Sequence, residues 1–260
     1  MMRILAQTLE TPAGRPLLAL PEMTLQPGQC WALLGPNGAG KSTFLRFCAG
    51  RETAEADPGR LWLGQPLPRW SDAGWARVRS FLPQHHHLSA PLTVQALIAM
   101  AAFPWGGGHE RLADAMAEVI ATWDVASLLT RRWHELSGGE QQRVQLARSA
   151  LQLALAPAGA ARLWLLDEPL SALDWPHQRG ALDACRQAAA SGALVVASLH
   201  DMNAALAMAT HVLVLGQGGV LMQGVLEPER MREALEQAFS ARLGWARHPE
   251  DGRPWLVPLR

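Results

Sequence analysis

Apolar residues along the chain fall into compact continuous runs separated by stretches with helical spacing. The runs Gln29–Leu34, Leu163–Leu166, Ala193–Ser198 and Val212–Leu215 read as strands buried on both faces. Between them, helical patterns occupy Ser42–Ala49 (ending at Gly50), the stretch from Gly138 to about Leu155, Ala181–Ala190 and Met202–Ala209. Strands alternating with helices imply a largely parallel sheet with helices on both faces, an α/β class. Upstream, the chain to Gln26 reads as short strands with turns at Pro12-Ala13-Gly14 and Pro27-Gly28. Pro58-Gly59 and Gly64-Gln65-Pro66 punctuate a further strand pair around Leu61-Trp62-Leu63.

From Leu92 to Leu136 the spacing is helical, with Leu112, Met116, Val119, Ile120 and Trp123 on one face. Gly106-Gly107-Gly108 breaks the stretch into two helices, so a mostly helical insert is expected over Leu88–Trp133. The Ala-rich segment Ala154–Ala161 reads as a surface connection. Beyond Glu227, a helix is expected over Pro228–Leu243 with Met231, Leu235 and Phe239 on one face. A tail with Trp245, Trp255 and an Asp251-Gly252 turn would complete a small C-terminal cap on the sheet.

Composition narrows the picture. The 23 Lys+Arg balance 23 Asp+Glu for a net +0, which excludes a strongly basic surface as the main basis for binding nucleic acid. At 49% hydrophobic and 18% charged, the chain can build a substantial core. The low charge fits either a surface covered by a partner or an alanine-rich composition. No apolar stretch reaches the ~20 residues of a membrane span; Leu92–Trp105 is interrupted by Thr93, Gln95 and Pro104. The opening MMRILAQTLE has no apolar signal core, so a cytosolic chain is expected. Cys30, Cys48 and Cys185 show no CxxC spacing and read as reduced structural thiols.

Candidate chemistry begins at Gly35-Pro36-Asn37-Gly38-Ala39-Gly40-Lys41-Ser42-Thr43, a fit to G-x-x-x-x-G-K-[ST] between an apolar strand and a helix. Converging backbone N–H groups at a helix N-terminus hold a polyphosphate, Lys41 would face the β- and γ-phosphates, and Ser42 would complete a Mg²⁺ shell. Leu163–Leu166 runs into Asp167-Glu168, where Asp167 would reach Mg²⁺ through water and Glu168 would polarise the attacking water. Leu136-Ser137-Gly138-Gly139-Glu140 opens a long helix and supplies a second anion-binding terminus. One nucleotide does not need two such sites in one chain. The arrangement makes sense if Ser137 and Gly139 meet the γ-phosphate held by another copy.

At this point the sequence resembles the ATP-binding cassette family, over roughly residues 1–230. The resemblance implies a P-loop NTPase core with an antiparallel β subdomain and a helical signature-motif insert (about 88–145) within a single domain 1–260, plus a small extension over 228–260. It implies that Gln84 reaches Mg²⁺ and water, that Ser171-Ala172-Leu173-Asp174 crosses a dimer interface, and that His200 contacts the γ-phosphate. ATP and Mg²⁺ are the implied cofactors. A homodimer of cassettes, two copies of a membrane permease and, indirectly, a periplasmic binding protein are the implied partners, with no nucleic acid. The implied location is peripheral, on the cytoplasmic face of a bacterial inner membrane. Family members receive permease coupling helices near Gln84 and the helical insert, where Phe103 and Trp105 offer apolar surface.

One position departs from the family pattern. Many cassettes stack an aromatic on adenine from the segment Glu10–Leu17, which here has none, so weaker adenine contact or an aliphatic substitute is expected, with no stacking residue named. LSGGEQQRVQLAR (Leu136–Arg148), Arg79–Gln84 and Ser171–Gln178 resemble importers of haem, ferric siderophores and cobalamin, leaning toward haem. Translation and DNA-repair cassettes carry tandem cassettes or long coiled coils, which are missing here, and a lone P-loop kinase has no use for LSGGE. An exporter cassette is the runner-up within transport. His85-His86-His87 reads as a solvated or interface loop rather than a metal site.

Overall fold

The structure is a computed structural model that describes residues 1–11, 14–50, 59–84, 91–248, 252 and 254–259. Pro12, Ala13, Pro58, the His85–His87 run, Leu88 and Asp251, all singled out above, lie outside the described residues.

The chain opens with strands β1 (Met2–Ile4), β2 (Gln7–Glu10), β3 (Pro16–Leu20), β4 (Met23–Leu25) and β5 (Cys30–Leu34), then helix α1 (Lys41–Cys48). Strands β6 (Arg60–Trp62) and β7 (Gln65–Pro66), helix α2 (Asp72–Val78) and strand β8 (Arg79–Leu82) follow. The helical region holds α3 (Val94–Ala99), α4 (Leu112–Thr122) and α5 (Gly138–Ala154). Strand β9 (Arg162–Asp167), helix α6 (Trp175–Ala190), strand β10 (Ala193–Ser198), helix α7 (Met202–Met208) and strands β11 (His211–Leu215) and β12 (Val220–Val225) return to the sheet. Helix α8 (Pro228–Phe239) and the hairpin β13 (Leu243–Arg247) and β14 (Pro254–Pro258) end it.

The central sheet has the order β12-β11-β5-β10-β9-β8, parallel except for β12, which pairs antiparallel with β11. A separate antiparallel sheet, β4-β1-β6-β7, and the hairpin β2-β3 form the amino-terminal part. Both faces of the parallel strands are covered, and β5 and β10 are buried along their whole length. Side chains alternate between two cores. Cys30, Ala32 and Leu34 of β5 join one with the helices of the insert, whereas Trp31 and Leu33 join the other with α1 and the antiparallel strands.

Local departures from the sequence pattern have physical causes. Leu63, expected in a strand, occupies the β6–β7 turn with φ 53°. The apolar run after Thr93 is α-helical only to Ala99. It continues as a 3-10 helix over Met100–Trp105, where Pro104 lacks the amide that an α-helix would use. Helix α6 begins at Trp175 instead of Ala181, because Asp174 caps it and accepts a 3.2 Å hydrogen bond from the His177 N–H, with Pro176 in the first turn. The last helix stops at Phe239, before Ser240 turns left-handed (φ 49°), and Leu243 belongs to a strand. Met231 and Leu235 are buried as expected, but Phe239 is exposed. Of the terminal extension, α8 packs on β11 and β12, and the hairpin is clamped to α7, where Asn203 donates to the Leu256 carbonyl at 3.1 Å and accepts from its N–H at 2.8 Å.

What matters for the site is direction. Because β5, β8, β9 and β10 are parallel, the segments leaving their carboxyl ends emerge along one edge: the glycine-rich loop, Gln84, Asp167-Glu168 and His200.

Candidate functional site

The glycine-rich loop wraps from the end of β5 to the start of α1. Gly35 has φ 148°, and a Cβ there would lie 2.5 Å from the Leu215 carbonyl oxygen of β11, so the close approach of the neighbouring strand demands glycine. Lys41 is the first residue of α1 and is buried. Its Nζ donates to the carbonyls of Gly35 at 2.8 Å and Pro36 at 3.1 Å, which holds the ammonium inside the loop. Burial lowers its pKa from the ordinary ammonium range, and the carboxylates of Glu168 and Asp167 pull it back up. The lysine charge is thus pre-positioned among backbone groups.

Leu17, Asn37, Gly38, Gly40, Lys41, Ser42, Thr43, Gln84, Glu168 and His200 line one cavity of about 520 Å³. Gly35 and Pro36 act on it through Lys41, and Ala39 is packed into the core. The Thr43 hydroxyl accepts from Arg46 at 3.2 Å. Leu17, on β3, presents an aliphatic side chain at the position where the sequence lacks an aromatic.

Asp167 ends β9 almost fully buried, and Glu168 follows with φ 51°. A left-handed non-glycine residue costs on the order of 1–3 kcal/mol and persists only where its surroundings hold it. Several groups hold this one. The Glu168 N–H donates to Ser198 Oγ at 2.8 Å, its carbonyl accepts from Ser171 Oγ at 2.9 Å and from the Ser171 N–H at 3.2 Å, and the adjoining Pro169 carbonyl accepts from Gln142 Nε2 at 2.9 Å. The carboxylate meets His200 Nε2 at 2.6 Å. Glu168 and His200, far apart in sequence, are therefore in direct contact at the cavity.

The signature segment has its own geometry. Ser137 caps α5, and Glu140 reaches back to accept from the Ser137 N–H at 2.7 Å and from its hydroxyl at 2.9 Å. These bonds, with Arg131 at 2.9 Å, hold the Glu140 carboxyl below its ordinary pKa. Leu136 is buried in the insert's core. Ser137 and Gly138 are exposed, and neither lines the 520 Å³ cavity. Ala172 is left-handed at φ 60°, Leu173 is buried and Ser171 and Asp174 face solvent. A Cβ on Gly139 would stand 2.8 Å from the Ala172 carbonyl oxygen, so the signature helix and the Ser171–Asp174 loop touch within one chain.

Sequence reasoning did not single out Ser198, Gln142 or the cluster around His177. His177 Nδ1 is 2.5 Å from Asp174 Oδ1, and Arg143 pairs with Asp124 at 2.8 Å. The trace of Ser198 in the sequence is a hydroxyl ending an otherwise apolar strand. Gln142 and Arg143 lie inside LSGGEQQR, where a helix pattern gives no reason to prefer one polar position over another.

Comparisons with known proteins identify the family. The family described as ABC transporter matches residues 20–171. The hemin import ATP-binding protein HmuV of Gloeobacter violaceus is 39% identical over 95% of this chain and 90% of its own length. The protein of the same name from Bordetella avium is 38% identical over the full length of both. Among solved structures, an ATP-binding subunit of an ABC transporter superposes with a TM-score of 0.77 at 22% identity, over 90% of this chain and 94% of its own. A putative metal-chelate type ABC transporter in an inward-facing conformation gives 0.76 at 22% identity, over 100% and 97%. The match covers more than half of the chain and its relatives span nearly all of it: the chain belongs to the ABC transporter family, as an ATP-binding subunit.

Proposed function

We propose that this chain is the ATPase that powers haem (hemin) import through a partner permease, acting as a head-to-tail pair of cassettes. The observation that carries the cargo is near full-length similarity to several proteins named for hemin import. A cassette does not touch cargo, so its own site speaks to the motor and not to the load.

In this reading the backbone amides around Asn37–Lys41 and the Lys41 ammonium bind the β- and γ-phosphates, and Leu17 packs against the base. Ser42, Gln84 and Asp167 would hold Mg²⁺. The donors are all oxygens with one carboxylate among them, which suits a cation that keeps waters and shares phosphate oxygens. When bound, Mg²⁺ would neutralise charge developing on the transferred phosphoryl group. Glu168 takes the proton from the attacking water, and His200, at 2.6 Å, orients that carboxylate and reaches toward the γ-phosphate. Ser137, Gly138 and Gly139 of a second copy close over the same phosphate, with the two Ser171–Asp174 loops between. Leu136 and Glu140 support that surface from behind, through packing and the helix cap.

No helix among the described residues is long and apolar enough to cross a membrane. Work on cargo then falls to a permease, with the chain peripheral on the cytoplasmic face of the inner membrane and a periplasmic binding protein delivering cargo from the other side. Phe103, 79% exposed, and Met100, 46% exposed, supply an apolar contact on the insert for that permease.

The test reconstitutes the chain with its permease and binding protein in liposomes and follows ATP-driven uptake of haem, a ferric siderophore and cobalamin. Uptake of haem alone is expected. Uptake of another chelate without haem would replace the cargo, and outward transport would replace the direction. Glu168→Gln is expected to abolish turnover while retaining ATP and trapping a dimer.

A further inference from the structure

Residues of the site come from two neighbouring strands, and one buried hydroxyl joins them. Ser198, the last residue of β10, is fully buried and lies directly opposite Asp167 of β9 in the parallel register. Its Oγ is 2.7 Å from Asp167 Oδ1 and 2.8 Å from the Glu168 backbone nitrogen. The direction of both bonds is forced. An amide can only donate and a carboxylate can only accept, so the hydroxyl accepts from Glu168 and gives its own proton to Asp167.

We propose that Ser198 is a positioning residue for ATP hydrolysis, setting the Asp167 carboxylate and the Glu168 backbone in their working orientations with a single hydroxyl. The inference rests on the roles proposed above for Asp167 and Glu168. Three observations support it. Glu168 is left-handed at φ 51°, a conformation that non-glycine residues seldom keep without support, and Ser198 satisfies the amide that this turn carries away from the strand ladder. The bond to Oδ1 occupies one oxygen of Asp167 and so fixes the carboxylate's rotation. Ser198 also stands two residues before His200, and the intervening Leu199 N–H is tied to the Leu33 carbonyl of β5 at 3.1 Å. The 2.6 Å contact between Glu168 and His200 is therefore anchored on one side by Ser198 at the end of β10 and on the other by Leu199 just beyond it.

A serine that only satisfies buried polar groups would affect folding and little else. The experiment compares Ser198→Ala, Ser198→Thr and Ser198→Val in the purified full chain. It measures kcat and KM for ATP, the Mg²⁺ concentration for half-maximal rate, and Mg²⁺-free ATP binding. Threonine and valine have the same shape, so they differ by the hydroxyl alone. Losing a group that orients a ligand from behind costs about 10–100-fold in activity or metal affinity. The expected result is a kcat fall of that size in Ala and Val, a higher Mg²⁺ requirement, unchanged Mg²⁺-free ATP binding, and recovery in Thr. Full turnover in Ser198→Ala, or equal loss in Thr and Val, would overturn the proposal. Glu168→Gln run in parallel separates the two readings: if it too turns over normally, the assignment of Glu168 fails, and if only Ser198→Ala does, the positioning role fails alone.

Discussion

Gly138 and Gly139 are adjacent in the signature, yet a methyl group at each should have opposite effects. A Cβ on Gly138 would meet the Ala172 side chain at 3.8 Å, an ordinary contact. On Gly139 it would meet the Ala172 carbonyl oxygen at 2.8 Å, and a backbone oxygen in a loop anchored by buried Leu173 cannot rotate aside. Both positions lie in the first turn of α5, so glycine to alanine gains similar helix propensity, at most about 1 kcal/mol, in each. That term cancels in the comparison. The remaining difference is the overpacking cost, about 1–3 kcal/mol. A domain of this size shifts about 2–4 °C in Tm per kcal/mol, so Gly139→Ala should melt roughly 2–12 °C below Gly138→Ala. Thermal unfolding by circular dichroism, without nucleotide, removes any contribution from phosphate contacts. Equal melting temperatures, or a Gly139→Ala chain that is the more stable, would refute the claim that these two segments are in register within one chain. If the claim holds, part of the reason for glycine in this signature is intramolecular and precedes any contact with ATP.

Two further outcomes are expected. Burial pushes the thiols of Cys30 and Cys48 up to about 12 and raises Cys185 well above the ordinary range. At pH 8 this leaves Cys30 and Cys48 on the order of a thousandfold less thiolate than a free cysteine carries, and all three thiols are buried, so a maleimide should label the chain only after unfolding; rapid labelling of the native chain would contradict the packing. Phe103→Asp should leave ATP hydrolysis by the isolated chain intact but weaken co-purification with the permease by about tenfold or more. Undiminished permease binding would move that contact elsewhere.

Much of the site was legible because its parts are local. A strand followed by Gly35–Thr43, or by Asp167-Glu168, is recognisable through neighbours in sequence, and the alternation of runs and helical spacing points to the parallel sheet. Boundaries set by caps were harder. The reach of α6 back to Trp175 depends on the Asp174 carboxylate finding the His177 amide, and the apolar pattern starts only later. The end of α8 depends on one left-handed serine.

The sequence by itself determined the alternation of buried strands with helices, the glycine-rich loop, the paired carboxylates and the long helix after Leu136, since each follows from residue type and spacing within a few turns of chain; α2, β8, β12 and the β13-β14 hairpin carry no such local pattern. Only the tertiary structure decided which distant groups meet. Parallel register places Ser198 opposite Asp167, the β10 loop brings His200 to Glu168, and the fold of the insert sets Gly139 against Ala172. Those contacts rest on strand order and on distances of about 3 Å, and no periodicity in a sequence encodes either.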